Sequence, residues 1–462
     1  MGHIISDIVP CENQIHQFFK NQKIGSLLKR SNIDKEKGVP PVAVFRVLFT
    51  LVFNGKNLFR TLTSDEHYGM AKDTVYRFLN SVHANWRRFL LLLSSRVICD
   101  ELSPLTSATN MKMLIADDTL YRRNRSKHVE LLSRVFDHTD KRYYRGFRML
   151  TLGWSDGISF LPVSCALLSS NKEKNRLGPL RNDLDRRTNG ARRRREGIGK
   201  ATDVLVEMVA EAIASGIQAS HILLDSWFAH PATMRNLLAK GMHVLCMLKV
   251  TEKIFYRYQG EDIHLAAIYR KIRKRRGRAK ILASVMVAIG EDDKGTPVQA
   301  RIVFVRDRRS KKWLALLSTD TALSDEDVVT AYKRRWDIEV FFKVAKSFLN
   351  LAKECQGRSY DALVTHATVV CCRYIMLALA RRTNQDPRTL GTLFHACCEE
   401  LQQATVAEAL AFVLMLLEQA MVSATAETKK VILSLIERFL RELPPIYGAR
   451  WLLAWQNNAA SC

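Results

Sequence analysis

Two short runs constrain this chain more than any other feature. Met113–Ala116 (MLIA) and His221–Leu224 (HILL) are continuous apolar stretches, and each leads directly into aspartate. A strand apolar at successive positions must be covered on both faces, which makes it a central strand of a sheet layered with helices. Its following carboxylate then emerges at the sheet edge, where an open α/β sheet places its chemistry. Asp118 and Asp225 are the candidates. Taken singly, each reads first as a turn or helix-cap residue. Asp117 adjoins Asp118, and because successive strand residues face opposite sides, only one of the two reaches a shared site. Two carboxylates brought together repel, and a divalent cation offsets that repulsion; hard oxygen donors favour Mg²⁺ or Mn²⁺.

The surrounding patterns support a mixed α/β sheet. Met111–Tyr121 predicts a strand ending in the two aspartates, and two strands joined by a turn at Ser155–Asp156–Gly157 follow. Residues 171–200 predict a loop carrying Arg186, Arg187 and Arg192 to Arg195. A helix ending at Gly216, the HILL strand, a helix from Pro231 and a strand from Met242 complete the order. From about Thr251 to Thr319 the chain turns β-rich and carries the basic run Arg270–Lys280.

Residues 1–108 predict helices. One ends at Gly55. Further on, a turn at Gly69 and a longer helix from Lys72 or Asp73 suggest a helix-turn-helix. Lys72, Thr74, Tyr76 and Arg77 near its start are spaced to reach a groove or phosphates, although an ordinary helical hairpin has the same pattern. The chain has 462 residues, 47% of them hydrophobic, and a formal net charge of +25, which calls for a polyanionic partner, nucleic acid first. Leu363–Ala380 is the best apolar run, but His366 and Arg373 near its middle predict a core helix, not a membrane span. The N-terminus lacks a signal-peptide pattern, and ten cysteines without C-x-x-C spacing predict buried thiols in a reducing cytoplasm.

Residues 332–348, YKRRWDIEVFFKVAKSF, mix aromatics, cations and carboxylates. On a helical wheel with Tyr332 at zero, Arg335 falls at about 300°, Glu339 at about 340°, Lys343 at about 20° and Lys346 at about 320°. The five share a narrow stripe, while Phe341, Val344 and Phe348 lie on the apolar face. A buried helix presenting one carboxylate among phosphate-binding side chains fits this pattern, and so does a solvated stripe with a Glu339–Lys343 ion pair. The stripe requires an unbroken helix through Trp336. Ser324 predicts its N-cap.

Tyr332-x2-Arg335-x3-Glu339-x6-Lys346 resembles the Y-x2-R-x3-E-x6-K signature of bacterial insertion-sequence transposases, the cut-and-paste DDE enzymes that proceed through a DNA hairpin. LIADDT (114–119) is similar to that family's first-aspartate strand and LLDSWF (223–228) to its second; the resemblance runs from about Met111 to Leu351.

The resemblance implies an α/β fold: a ribonuclease H-like catalytic domain over 109–250 and 323–355, interrupted by a β-rich insertion at 251–322. A helical DNA-binding region at 1–108 and a helical region at 356–462 flank it. It implies a DNA transposase that binds terminal inverted repeats and catalyses strand cleavage and transfer. A DDE nuclease or resolvase without strand transfer, or an inactive DNA-binding protein, are the alternatives. Asp118, Asp225 and Glu339 would be the catalytic residues and would hold two Mg²⁺ (or Mn²⁺) ions, with Asp117 in reserve. Tyr332, Arg335, Lys343 and Lys346 would hold phosphates at the site, and Arg192, Arg193, Arg194, Lys72 and Arg77 would contact DNA elsewhere. Trp227 and Trp313 are candidates for stacking on a base. The implied partners are double-stranded DNA, both element ends and target, and a second copy of the chain in a synaptic homodimer.

Overall fold

The structure is a computed structural model, and it describes residues 13–63, 70–138, 140–307, 312–403, 417 and 425–442. The chain divides into two compact units, one comprising Met1–Asn21 with Thr392–Cys462 and the other Gln22–Gly391. The smaller contains α1 (Gln14–Asn21) and, last in the chain, α14 (Ala426–Glu442).

The larger unit opens with α2 (Ile24–Lys29), α3 (Pro41–Thr50), α4 (Leu58–Thr63), α5 (Lys72–Leu79) and α6 (Trp86–Arg96). Pro41 opens α3, where a missing N–H costs nothing. Phe45 of α3 packs edge-on against Phe89 of α6 at 5.3 Å. The expected long helix after residue 72 is instead two, because the Asn85 side chain accepts from the Arg88 N–H and starts α6 anew. The predicted turn at Gly69 lies outside the described residues.

A mixed sheet of eleven strands follows. Its strands are β1 (Met113–Arg122), β2 (Ser133–Asp137), β3 (Arg142–Ser155), β4 (Phe160–Leu168), β5 (His221–Leu224), β6 (His243–Leu248), β7 (Phe255–Tyr258), β8 (Glu261–His264), β9 (Ile281–Glu291), β10 (Pro297–Arg306) and β11 (Trp313–Ser318). Their order is β2-β3-β1-β5-β6-β11-β10-β9-β7-β8, with β4 also beside β3. β1, β5 and β6 run parallel, and β3 is antiparallel to β1. The apolar runs are thus central strands, as their composition requires. Between strands lie α7 (Asn189–Gly197), α8 (Ala201–Ala214), α9 (Pro231–Leu238) and α10 (Leu265–Lys271).

The β-rich segment joins the same sheet as β1, β5 and β6, because β11 pairs with β6 through Ala315 opposite Leu248. Position 250 thus lies between two strands of one sheet, and 322 follows its last strand, β11. Two expectations are corrected. β1 does not end at the aspartates but continues to Arg122, paired throughout with β3. The arginine loop is helical from Asn189, capped by the Thr188 side chain on the Ala191 N–H.

The last helices are α11 (Asp325–Lys333), α12 (Trp336–Ser347) and α13 (Tyr360–Thr383). Ser324 and Asp327 form the predicted N-cap as a reciprocal capping box. α13 is long and apolar enough to cross a membrane, yet it is buried almost throughout. Its Arg373 is fully enclosed, donating to the Phe49 carbonyl (2.9 Å) and to Glu354 (2.8 Å). Phe341 of α12 packs against Phe160 of β4 (5.8 Å) and Tyr374 of α13 (4.9 Å), which seats α12 between sheet and core helix.

Candidate active site

The site begins with the register of two parallel strands. Ala116 lies opposite Leu224, so the next residue of each chain, Asp117 and Asp225, leaves the ladder side by side. β5 stops there, and Asp225 turns its carboxylate onto the Trp227 and Phe228 N–H groups (2.9 and 3.4 Å). β1 continues, and its pleat sends Asp117 and Thr119 to one face and Asp118 to the other.

α12 covers the face that carries Asp117. Arg335, just before this helix, donates to Asp117 at 2.7 Å and to Glu339, one turn later, at 3.3 Å. Lys346 donates to the Thr119 hydroxyl at 2.5 Å, and the Tyr332 hydroxyl donates to the Leu224 carbonyl at 3.2 Å. Asp118 instead accepts from Arg148 of β3 at 2.6 Å, and the same guanidinium donates to the Phe136 carbonyl. The carboxylate grouped with Glu339 is therefore Asp117. The sequence expectation favoured Asp118 with Asp117 in reserve; both line the cavity, and strand alternation gives the contact with Arg335 to Asp117 and that with Lys346 to Thr119.

The electrostatics mark the same cluster. The Asp117 carboxyl is pushed up to about 7, first by burial and next by the Asp225 charge. Arg335 and the Asp118 N–H pull it down, and Glu339 adds to the rise. Burial also raises Asp118, partly offset by Arg148. Lys346 is lowered by burial and by Arg122, against the opposing pull of Asp137 and Glu339. Burial raises the Tyr332 phenol.

An open cavity of about 760 Å³ lies over these strand ends, lined by Asp117, Asp118, Asp225, Arg148, Trp227 and Lys249 among others. A second cavity, of about 420 Å³, lies between α6, α7 and α8. Its charged groups are already spent, Arg87 on Glu196 and Arg192 on Glu211. The first cavity, where three aspartates gather at the strand ends, is the functional candidate.

The wheel groups four of its five stripe residues correctly, but it misplaces Lys343 and assumes a continuous helix. α11 and α12 are separated by a tight turn at Arg334–Arg335, where Arg335 N–H bonds to the Tyr332 carbonyl three residues back. Tyr332, Arg335, Glu339 and Lys346 nonetheless converge on the sheet, while Lys343 faces solvent.

The other predicted residues separate clearly. Lys72 and Arg77 are exposed on α5, and Arg192 is exposed on α7. Arg193 and Arg194 are buried: Arg194 forms paired bonds to Glu130 (2.6 and 2.7 Å) and reaches Asp361 (2.8 Å), and Arg193 also binds Asp361 (2.6 Å). Both were expected to contact DNA, and here both are buried with their bonds made inward. Trp313 is stacked on Tyr269 at 4.4 Å. Trp227 stands 67% exposed beside Asp225. Arg148 and Thr119 escaped the sequence reading; their signal is period-two alternation on strands flanking the aspartates.

The carboxylates suit a hard divalent cation by donor type, three oxygen ligands with no sulfur or imidazole. Among the described residues no three His, Cys, Asp or Glu side chains stand at metal-ligating spacing. Arg335 supplies the positive charge between Asp117 and Glu339.

Residues 55–306 match the family described as DDE superfamily endonuclease, more than half of the chain. The chain belongs to that family. Its mixed α/β sheet is consistent with a DDE, ribonuclease H-like fold, and its membership makes it a DNA-cleaving, transposase-like enzyme. No curated protein matches it. As a DDE endonuclease it belongs to a class that generally uses divalent metal ions, and DNA is the implied substrate.

Proposed function

We propose that this DDE endonuclease is a cut-and-paste DNA transposase of the hairpin-forming group, with Asp117, Asp225 and Glu339 as its three carboxylates. One observation carries the reading: parallel strands set Asp117 beside Asp225 at one cavity, and Arg335 joins Asp117 to Glu339 while feeling the charge of all three carboxylates. Two Mg²⁺ or Mn²⁺ ions bound by the three would activate the attacking water or 3′-hydroxyl and stabilise the leaving oxygen of an in-line displacement.

The chain's own groups do the positioning. Arg335 and Lys346, supported from β1, hold phosphate oxygens beside the scissile bond, Tyr332 shapes that wall, and Lys343 reaches the same strand from outside. Exposed Lys72 and Arg77 of α5 contact the terminal inverted repeats, and the basic run at 270–280 neutralises backbone phosphates. Two copies in a synaptic complex bring both ends together.

The test is a cleavage and joining assay with Mg²⁺ and DNA carrying the element's ends. Wild type is expected to cut and to join the cut end to target DNA. Asp117→Asn and Glu339→Gln are expected to abolish both steps, while Asp118→Asn keeps measurable cleavage. Full cleavage by Glu339→Gln would sink the catalytic assignment. Cutting without joining would support a nuclease lacking strand transfer.

A further inference from the structure

The junction that carries Arg335 toward the site is held from outside the site. We propose that the β3–β4 turn, Ser155–Gly157, clamps the α11–α12 junction, and that Arg334 and Asp337 are positioning residues for the helix bearing Glu339. The proposal rests on the reading of Glu339 as the third carboxylate.

The junction is wound tighter than an α-helix. Arg334 N–H bonds to the Ala331 carbonyl (3.1 Å), Arg335 to Tyr332 (3.1 Å) and Asp337 to Arg334 (3.0 Å), each spanning three residues. Two successive arginines thereby diverge. Arg335 turns to Asp117, and Arg334 turns to the Met111 carbonyl just before β1, at 2.8 Å.

The turn grips that second guanidinium. Gly157 has φ +87°, which favours glycine, and a Cβ there would stand 2.7 Å from the Arg334 guanidinium carbon and push it aside. Ser155, fully buried, donates to Asp337 at 2.8 Å and accepts from the Gly157 N–H at 3.1 Å. The turn is itself fixed. Asp156 accepts from the Ile158 and Ser159 N–H groups (2.9 and 2.7 Å), and its other oxygen accepts from Thr106 (2.7 Å).

Three contacts from β1 and the hairpin thus set where α12 starts and how it is rotated. Glu339 lies two residues past Asp337, about 3 Å further along the axis. Arg334 and Asp337 bond to the Met111 carbonyl and to Ser155, away from the site carboxylates, so their action passes through the helix.

The experiment compares Ser155→Ala, which deletes one hydroxyl, with Arg334→Ala and Arg334→Lys. Three quantities are read: DNA affinity, single-turnover cleavage at saturating DNA with Mg²⁺, and amide hydrogen exchange over residues 334–340 without DNA. We expect faster exchange in Ser155→Ala and Arg334→Ala, unchanged DNA affinity and cleavage slowed about 10- to 100-fold. Arg334→Lys should recover part of the rate. Wild-type exchange and wild-type cleavage in Ser155→Ala and Arg334→Ala overturn the clamp. A loss confined to DNA affinity overturns it too. Faster exchange in the variants of a wild-type protein that cuts no DNA would uphold the clamp while rejecting the catalytic reading beneath it.

Discussion

Arg335 donates to Asp117 at 2.7 Å and to Glu339 at 3.3 Å, so one guanidinium spans the carboxylates of a central strand and of a helix more than two hundred residues later. A planar fork can serve two acceptors at once, and a lysine ammonium cannot reproduce that geometry. Arg335→Ala should lower single-turnover cleavage by about 10- to 100-fold, and Arg335→Lys should restore only part of it. Equal rates for Arg and Lys would show that the fork is irrelevant to the reaction.

Two neighbouring arginines make opposite predictions about stability. Arg194 is enclosed with Glu130 and Asp361, both buried. Replacing it with leucine leaves buried Glu130 without its cation and Asp361 with Arg193 alone, and should cost about 3–5 kcal/mol. Arg195 is exposed, and Arg195→Ala should stay within about 0.5 kcal/mol of wild type. Chemical denaturation midpoints read the difference. A tolerated Arg194→Leu would mean that the cluster relaxes or hydrates when broken.

These two arginines also show where sequence reading stops. MLIA and HILL announce central strands because burial on both faces leaves a local mark, and both strands lie where that mark puts them. Tyr332, Arg335, Glu339 and Lys346 announce a shared face through spacing alone. The choice between Asp117 and Asp118 leaves no such mark. It depends on which face of β1 meets α12, a contact made across the whole domain. Likewise RRRR at 192–195 looks like a solvated run, because its partners Glu130 and Asp361 are far away in sequence. The short β2, and α7 with its run of arginines, lack the apolar periodicity by which helices and strands are recognised.

His366 gives the fold an acid limit. It is fully enclosed in α13, and burial, with Arg373 and Arg123 nearby, lowers its pKa to about 3 from 6.5, against the pull of the Asn350 carbonyl. Glu354 is 3.7 Å from its Nδ1 but is committed to Arg373. The folded state therefore refuses a proton that the unfolded chain accepts. Stability should be full above pH 6.5 and fall as pH drops toward 3, by up to about 1.4 kcal/mol per pH unit. Glu354, raised by burial, works in the opposite direction and shallows the slope above pH 4.5. Thermal unfolding between pH 7 and 5 should fall less in His366→Gln than in wild type, and identical slopes would remove His366 as the cause.

The exposed run after α10 should act on affinity and not on chemistry. Arg273, Arg275, Arg276 and Arg278 all face solvent, and the Arg306 guanidinium holds their loop through the Gly277 carbonyl at 2.9 Å. A cation that contacts phosphate releases condensed counterions, so each lost contact flattens the logarithmic salt dependence of binding by about 0.9. Replacing Arg275, Arg276 and Arg278 with alanine should reduce the slope by about 2–3 and leave the cleavage rate at saturating DNA unchanged. Because the substituted side chains are exposed, the folded state should be undisturbed. An unchanged slope would mean that this loop lies away from the bound DNA, and a slower reaction at saturation would mean that it reaches the scissile strand.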